Sequence, residues 1–185
     1  PFVIVHEDAA FVRGRTGVDI VGPFFERIYM KFIHLADLHI GKRVNEFPML
    51  EEQEYILSKI INIVDEEKPN TILIAGDIYD KSVPSAEAII LFDNFITRLS
   101  KRNVSIFIIG GNHDSQERLS FGSTIFKNSG IYFAPPFSGK IQPLEIKDEN
   151  GPIYIYMLPF VKPSQVRNIF NSEKISNYND AVKSV

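Results

Sequence analysis

The chain has no cysteine among its 185 residues. That excludes internal disulfides and thiolate zinc sites, and it fits a reducing cytoplasm without proving one. Its apolar runs fall far short of the roughly 20 residues that a membrane helix needs. There is no excess of basic charge either: the formal net charge is -3, so any surface for nucleic acid must be a local patch rather than a global field. Internal repeats and low-complexity segments are also absent. Hydrophobic residues make up 44% and charged residues 23%, the balance of a folded globular domain rather than of a disordered chain. The length allows one domain or part of a larger one.

The first 29 residues read differently from the rest. Pro1–Tyr29 has no initiator Met and mixes Glu7, Asp8, Arg13, Arg15 and Asp19 into weak apolar patches. It shows neither the basic start nor the unbroken apolar core of a signal peptide. Met30 then opens a clean strand. We therefore divide the chain into a leader, 1–29, that is non-native or unstructured, and a domain over 30–185 with Met30 as its natural start.

From Met30 the pattern is strand, helix, strand, helix, strand, helix. The strands are Lys31–Ala36, Thr71–Ala75 and Val104–Ile109. A first helix opens at Pro48 with Glu51, Glu52 and Glu54 in its first turns and runs to about Glu67, with Leu57, Ile60, Ile61 and Val64 on one face. A second begins at Pro84 and Ser85, and a third spans Gln116–Lys127. This order predicts a mostly parallel sheet flanked by helices. From Gly130 the pattern changes: Ile131–Phe133, Lys140–Ile146 and Ile153–Leu158 read as strands, with Asn150-Gly151 as a hairpin turn, and the C-terminal part is expected to contain antiparallel strands. A loop over Pro159–Gln165, a helical turn over Val166–Phe170 and a helix from Asn177 close the chain. The fold class is α/β.

Each of the three parallel strands ends in a short polar string: Asp37-Leu38-His39, Gly76-Asp77-Ile78-Tyr79-Asp80 and Gly110-Gly111-Asn112-His113-Asp114. Ligands in open α/β sheets bind just outside the carboxyl ends of the strands. Oxygen donors from Asp and Asn with nitrogen from His suit hard or borderline divalent cations. Asp37 and His39 alternate and could reach one ion. Asp77 follows its strand directly, where a bridging carboxylate would sit, although an Asp there also serves as a helix cap. Asp80 suits a supporting role that fixes local geometry. Asn112 offers a neutral oxygen, and His113 stands beside it with Asp114 available to orient the ring. Each string alone reads equally as a polar turn. All three in order, each after a strand, define a site.

These strings resemble the DxH, GDxxD and GNH(D/E) motifs of the calcineurin-like metallophosphoesterase superfamily. The flanks His34–Lys42, Ala75–Ser85, Gly111–Gly122 and Leu158–Pro163 resemble, more narrowly, the SbcD family of nuclease subunits of bacterial SbcC–SbcD complexes. The resemblance covers Met30 to about Arg167. It implies that Asp37 and His39 bind a first metal, Asp77 bridges and Asn112 binds a second. His113, with Asp114, would act on the scissile phosphate and leaving group. It further implies two Mn²⁺ ions, phosphodiester cleavage of DNA as a single-strand endonuclease and an ATP-dependent 3′-to-5′ double-strand exonuclease, and a role in repair and recombination. The implied partners are DNA, the SbcC ATPase and a second copy of the chain, in the cytoplasm and with no membrane.

The same resemblance exposes a gap. The only histidines are His6, His34, His39 and His113, whereas the family pattern requires three more ligating histidines downstream of the third motif. Four ligand residues do not fill two metal shells. The expectation is a truncated, N-terminal part of the domain with little or no nuclease activity, whose SbcC-binding region lies beyond Val185. His34 reads as a satisfied core histidine. Lys42, Arg43, Arg118 and Lys127 are as consistent with solvated surface charge as with contacts to DNA phosphates. Phe47, Phe121 and Phe126 are assigned to the core rather than to base stacking. The competing readings are another calcineurin-like phosphodiesterase or phosphatase, and a non-catalytic interaction module.

Overall fold

The computed structural model describes residues 2–7, 30–148 and 151–185, the first of these by main chain only. Four strands form a parallel sheet in the order β2 (Phe32–Leu35), β5 (Thr71–Ala75), β6 (Ser105–Ile109), β7 (Ile131–Phe133). β5 is buried at every residue, which is why it reads as an unbroken run of Thr, Ile, Leu and Ala rather than as an alternation. Its two faces serve different layers. Ile72 and Ile74, with Ile106 and Ile108 of β6, pack against the apolar stripes of α1 (Leu50–Glu67) and α2 (Ala86–Ser100). Leu73 and Phe107 face the other way, onto Ile155 of a second sheet.

That second sheet is antiparallel, in the order β1 (Phe2–Glu7), β9 (Gly151–Leu158), β8 (Leu144–Asp148). The fold is thus a parallel sheet with helices on one face and an antiparallel sheet on the other. This agrees with the expected α/β class and with antiparallel strands in the C-terminal part. Ile131–Phe133, however, pairs parallel to β6 and extends the first sheet. Of the leader set apart in the sequence, Phe2–Glu7 pairs along β9 from Phe2 opposite Leu158 to Glu7 opposite Ile153. Pro1 and residues 8–29 lie outside the described residues, as does Asn150 of the expected hairpin turn.

Helix boundaries follow local chemistry. The Ser85 hydroxyl accepts the Ala88 N–H at 3.3 Å and starts α2. α1 ends where Lys68 turns left-handed at φ 47° immediately before Pro69. The helix expected over Gln116–Lys127 is instead two single turns, α3 (Gln116–Leu119) and α4 (Ser123–Phe126), followed by a 3₁₀ turn over Lys127–Ser129. Gly122, at φ 75°, breaks it. β8 is shorter than the strand expected from Lys140. The turn expected at Val166 is a full helix, α5 (Pro163–Phe170), with Pro163 at its first position. α6 (Tyr178–Ser184) is capped by the Asn177 side chain, which accepts the Asp180 N–H at 3.0 Å. A two-residue hairpin between β3 (Arg43–Val44) and β4 (Phe47–Pro48) was not foreseen. Its turn residues Asn45 and Glu46 both have positive φ, 48° and 69°, as such tight hairpins require.

Three residues leave their expected places. His34 is exposed on β2, an edge strand of its sheet. Phe47 is 74% exposed because the two-stranded hairpin that carries it has no core face, and Phe121 is 84% exposed at the break before Gly122. Phe126 does reach the core, its ring centroid 5.6 Å from that of Phe133.

Candidate metal centre

The three polar strings meet at the carboxyl end of the parallel sheet, held together by main-chain hydrogen bonds that continue the strand pairing. Asp37 N–H donates to the Gly76 carbonyl at 3.1 Å, His39 N–H to Asp77 at 2.9 Å and Ile40 N–H to Ile78 at 2.9 Å. Gly76 N–H in turn donates to the Ile109 carbonyl at 3.0 Å, which ties the second string to the third strand. Three of the residues that turn here are left-handed without being glycine: Asp37 at φ 56°, His39 at 44° and Asp77 at 48°. Such residues carry a cost of roughly 1–2 kcal/mol each and persist where their surroundings over-determine them.

The turns bring together side chains from two strings. Donor atoms of Asp37, His39 and Asp77 lie within 4.8 Å of one another, and Asp77 is buried at 7% exposure. His39 Nε2 stands 3.8 Å from Asp77 Oδ2. That is beyond hydrogen-bond range but within the spread of about 4.2 Å open to two donors each about 2.1 Å from one ion. On the other side of the ring, His39 Nδ1 is buried with no hydrogen-bond partner, and Asp80 Oδ1 is 3.7 Å away. A half-buried imidazole whose Nδ1 is enclosed, flanked by carboxylates that it does not hydrogen-bond, fits a cation site. His39, Asp80 and His113 form a second cluster with the same spacing, sharing His39 with the first.

The third string is locked to the second. Asp114 Oδ2 accepts from Ile78 N–H at 3.0 Å and Gly111 N–H at 2.8 Å, and its Oδ1 accepts from Tyr79 N–H at 2.9 Å. The expectation that Asp114 orients the His113 ring is therefore corrected, because its carboxylate is committed to three main-chain donors. The ring is held by Asp80 instead: His113 Nδ1 lies 2.8 Å from the Asp80 carbonyl. A carbonyl only accepts, so Nδ1 carries the proton and Nε2 is left free. His113 N–H donates to Asp77 Oδ1 at 3.0 Å, and a Cβ at Gly111 would fall 2.1 Å from that same oxygen. Only glycine fits there. The two rings meet edge-on, with His39 and His113 centroids 4.9 Å apart. The hydrogen bond to the Asp80 carbonyl, reinforced by the charges of Asp77, Asp80 and Asp114, holds the exposed His113 above the ordinary histidine pKa.

Asn112 is exposed beside His113 on the wall of an open cleft that Lys81, Arg118 and Lys162 also line. Arg118 Nη1 donates to the Ser82 carbonyl at 3.3 Å, so this guanidinium braces the loop after the second motif. Lys81 and Lys162 were not singled out in the sequence, and nothing in their spacing places them there. Lys42 is exposed, and the Arg43 guanidinium folds back onto the Glu46 carbonyl of its own hairpin. Lys127 lines a different cavity, away from the motif residues.

A half-buried residue of α1 also escaped the sequence reading. The Gln53 carboxamide accepts Gly41 N–H at 2.9 Å and donates to the His39 carbonyl at 2.8 Å and the Leu38 carbonyl at 3.3 Å. No local pattern marks it, since the contacts span 12 to 15 residues.

A carboxylate–imidazole cluster at the ends of parallel strands, backed by a glycine-rich third loop, is the arrangement of a metal-dependent phosphoesterase. The chain belongs to the calcineurin-like phosphoesterase family, whose sequence signature matches residues 30–181. Family membership carries divalent metal ions with it, and the Asp37, His39 and Asp77 cluster fits one. At finer grain the chain is similar to the SbcD component of the nuclease SbcCD from Staphylococcus epidermidis. The two are 38% identical over 154 residues, which is 83% of this chain and 40% of that protein.

Proposed function

We propose that this chain is the N-terminal part of an SbcD-type DNA nuclease, a two-metal phosphodiesterase acting on DNA with an SbcC ATPase partner in repair and recombination. The observation that carries the proposal is the convergence of Asp37, His39 and Asp77 at the strand ends with His113 beside them. The relative's name supports the nuclease reading over other phosphoesterases.

In this reading Asp37 and His39 hold one cation, Asp77 bridges, and Asn112 holds the second. When bound, such ions supply Lewis-acid stabilisation of phosphoryl charge and acidify water, and Mn²⁺ is the ion we assign. His113 presents Nε2 to the cleft as proton donor to the leaving oxygen, its ring held through Nδ1 by the Asp80 carbonyl. Asp114 acts through the fold: it fixes the loop that carries Asn112 and His113. Lys81, Arg118 and Lys162 give the cleft a cationic wall for a phosphate backbone.

Two further parts of the proposal concern assembly. The helices that follow the second and third motifs present exposed apolar surface: Ile89 and Ile90 of α2, at 47% and 59% exposure, and Ile125 of α4, at 75%. We assign it to homodimerisation of the longer protein, which we place in the cytoplasm. The chain spans about 40% of the length of the relative it matches, and it offers four ligand residues for two ions. We therefore expect the 185-residue chain by itself to cleave little DNA. The test is Mn²⁺-dependent cleavage of single-stranded DNA by this chain and by one extended past Val185. Only the longer chain is expected to cut, with loss of cutting in Asp77→Asn. Efficient cutting by the short chain, abolished by the same substitution, overturns the inactivity. Preference of the longer chain for a phosphopeptide over DNA overturns the nuclease assignment.

A further inference from the structure

We propose that Gln53 is a positioning residue for the first cation site, acting through the main chain of His39. The inference rests on the assignment of Asp37, His39 and Asp77 as metal ligands. His39 is left-handed at φ 44°, a conformation that a side chain with a Cβ rarely adopts and that must be imposed from outside. Its N–H is held by the Asp77 carbonyl at 2.9 Å. Its carbonyl is held by Gln53 Nε2 at 2.8 Å and by Lys42 N–H at 3.0 Å.

The Gln53 carboxamide has only one workable orientation. Its oxygen must meet the Gly41 N–H and its nitrogen the carbonyls of Leu38 and His39, since a flip would set oxygen against two carbonyls. One side chain thus fixes residues 38, 39 and 41 against the first turns of α1. It closes the turn that aims the His39 ring at Asp77. Glutamine suits the position because it donates and accepts at once over a long reach. Glutamate loses both donated bonds, and leucine loses all three.

The 185-residue chain and Mn²⁺ alone provide the test. Bound ion is read from the free-ion electron paramagnetic resonance signal, folded fraction from circular dichroism, and the ion's place from paramagnetic broadening of the His39 ring protons. Gln53→Leu is expected to raise the Mn²⁺ Kd by about 10- to 100-fold per folded molecule, the usual effect of losing a group that orients a ligand. Gln53→Glu is expected to weaken binding in the same direction. A structural role alone would lower the folded fraction and leave the Kd of folded molecules unchanged. An unchanged Kd in both variants, with His39 broadened as in the parent, overturns the proposal. Should Gln53→Leu fail to fold, Gln53→Glu decides. If the parent shows no broadening at His39, the metal assignment itself fails, an outcome distinct from the other.

Discussion

Asp114 holds the N–H of Ile78 at 3.0 Å across 36 residues of sequence, so the third motif is clamped to the second by a charged acceptor. The same carboxylate takes Tyr79 and Gly111. Asp114→Ala would leave three main-chain donors without their partner in a partly buried setting. We expect a loss of about 3 kcal/mol in urea denaturation, since one hydrogen bond to a charged group is worth roughly 1.5–3 kcal/mol and the loop relaxes around part of the loss. A loss under about 0.5 kcal/mol, the range of an ordinary surface substitution, would show that the clamp is dispensable.

Gly111 faces the Asp77 carboxylate so closely that a methyl group would sit 2.1 Å from Oδ1 and 2.3 Å from the Asp77 nitrogen. Backbone cannot move aside as a flexible side chain can. Gly111→Ala is expected to cost about 2–3 kcal/mol, within the range for overpacking, and to displace Asp77. The check is a denaturation midpoint together with a crystal structure of the variant. A wild-type midpoint would mean that the loop can open freely.

The Tyr79 phenol is pushed up to about 12, first by burial and then by the nearby charges of Asp114 and Asp93. Folding therefore favours its protonated form. That contribution is intact below the unfolded value of 10 and is lost as pH rises through the folded value. Absorbance titration should show one of the seven tyrosines ionising late, and Tyr79→Phe should remove that step. A variant whose titration matches the parent's would assign the late step elsewhere.

Arg102 forks onto Asp65 with Nε and Nη2 each 2.6 Å from a carboxylate oxygen, joining the end of α2 to α1. The hydrogen bond from Arg102 holds the Asp65 carboxyl below its ordinary value. A depressed carboxyl contributes stability above its unfolded pKa of 3.8 and loses it as pH falls through the folded value. Arg102→Ala is accordingly expected to cost stability at neutral pH and less in strong acid. An equal cost at both would mean that the charge contributes nothing, the common fate of exposed pairs.

How far the sequence reveals this molecule depends on the range of the interaction. β5 was legible to the residue because a strand buried on both faces must be apolar throughout. Ser85 and Asn177 announced their helices because capping is a contact over three residues. The three motifs were legible because each lies within a single turn of chain. What stayed hidden was set across the fold. The commitment of Asp114 to Ile78 and Tyr79 rather than to its neighbour His113 depends on how two loops dock. The exposure of His34 depends on the place of its strand at the edge of the sheet, and that of Phe47 on a hairpin too small to have an inside. Gln53 looked like one more polar residue in a helix's first turns. Gly122 splits the helix into two single turns because it sits at φ 75°, a shape that helical periodicity does not reveal.

The left-handed turns at Asp37, His39 and Asp77 also bear on how this chain would respond to selection or redesign. Three residues proposed as ligands occupy backbone shapes that glycine or asparagine would adopt with less strain. Optimising the domain for thermal endurance alone would therefore push toward replacing the groups proposed to hold the cation. Here durability and chemistry compete at the same three positions, so a hardened variant that keeps all three must draw its added stability from elsewhere in the fold.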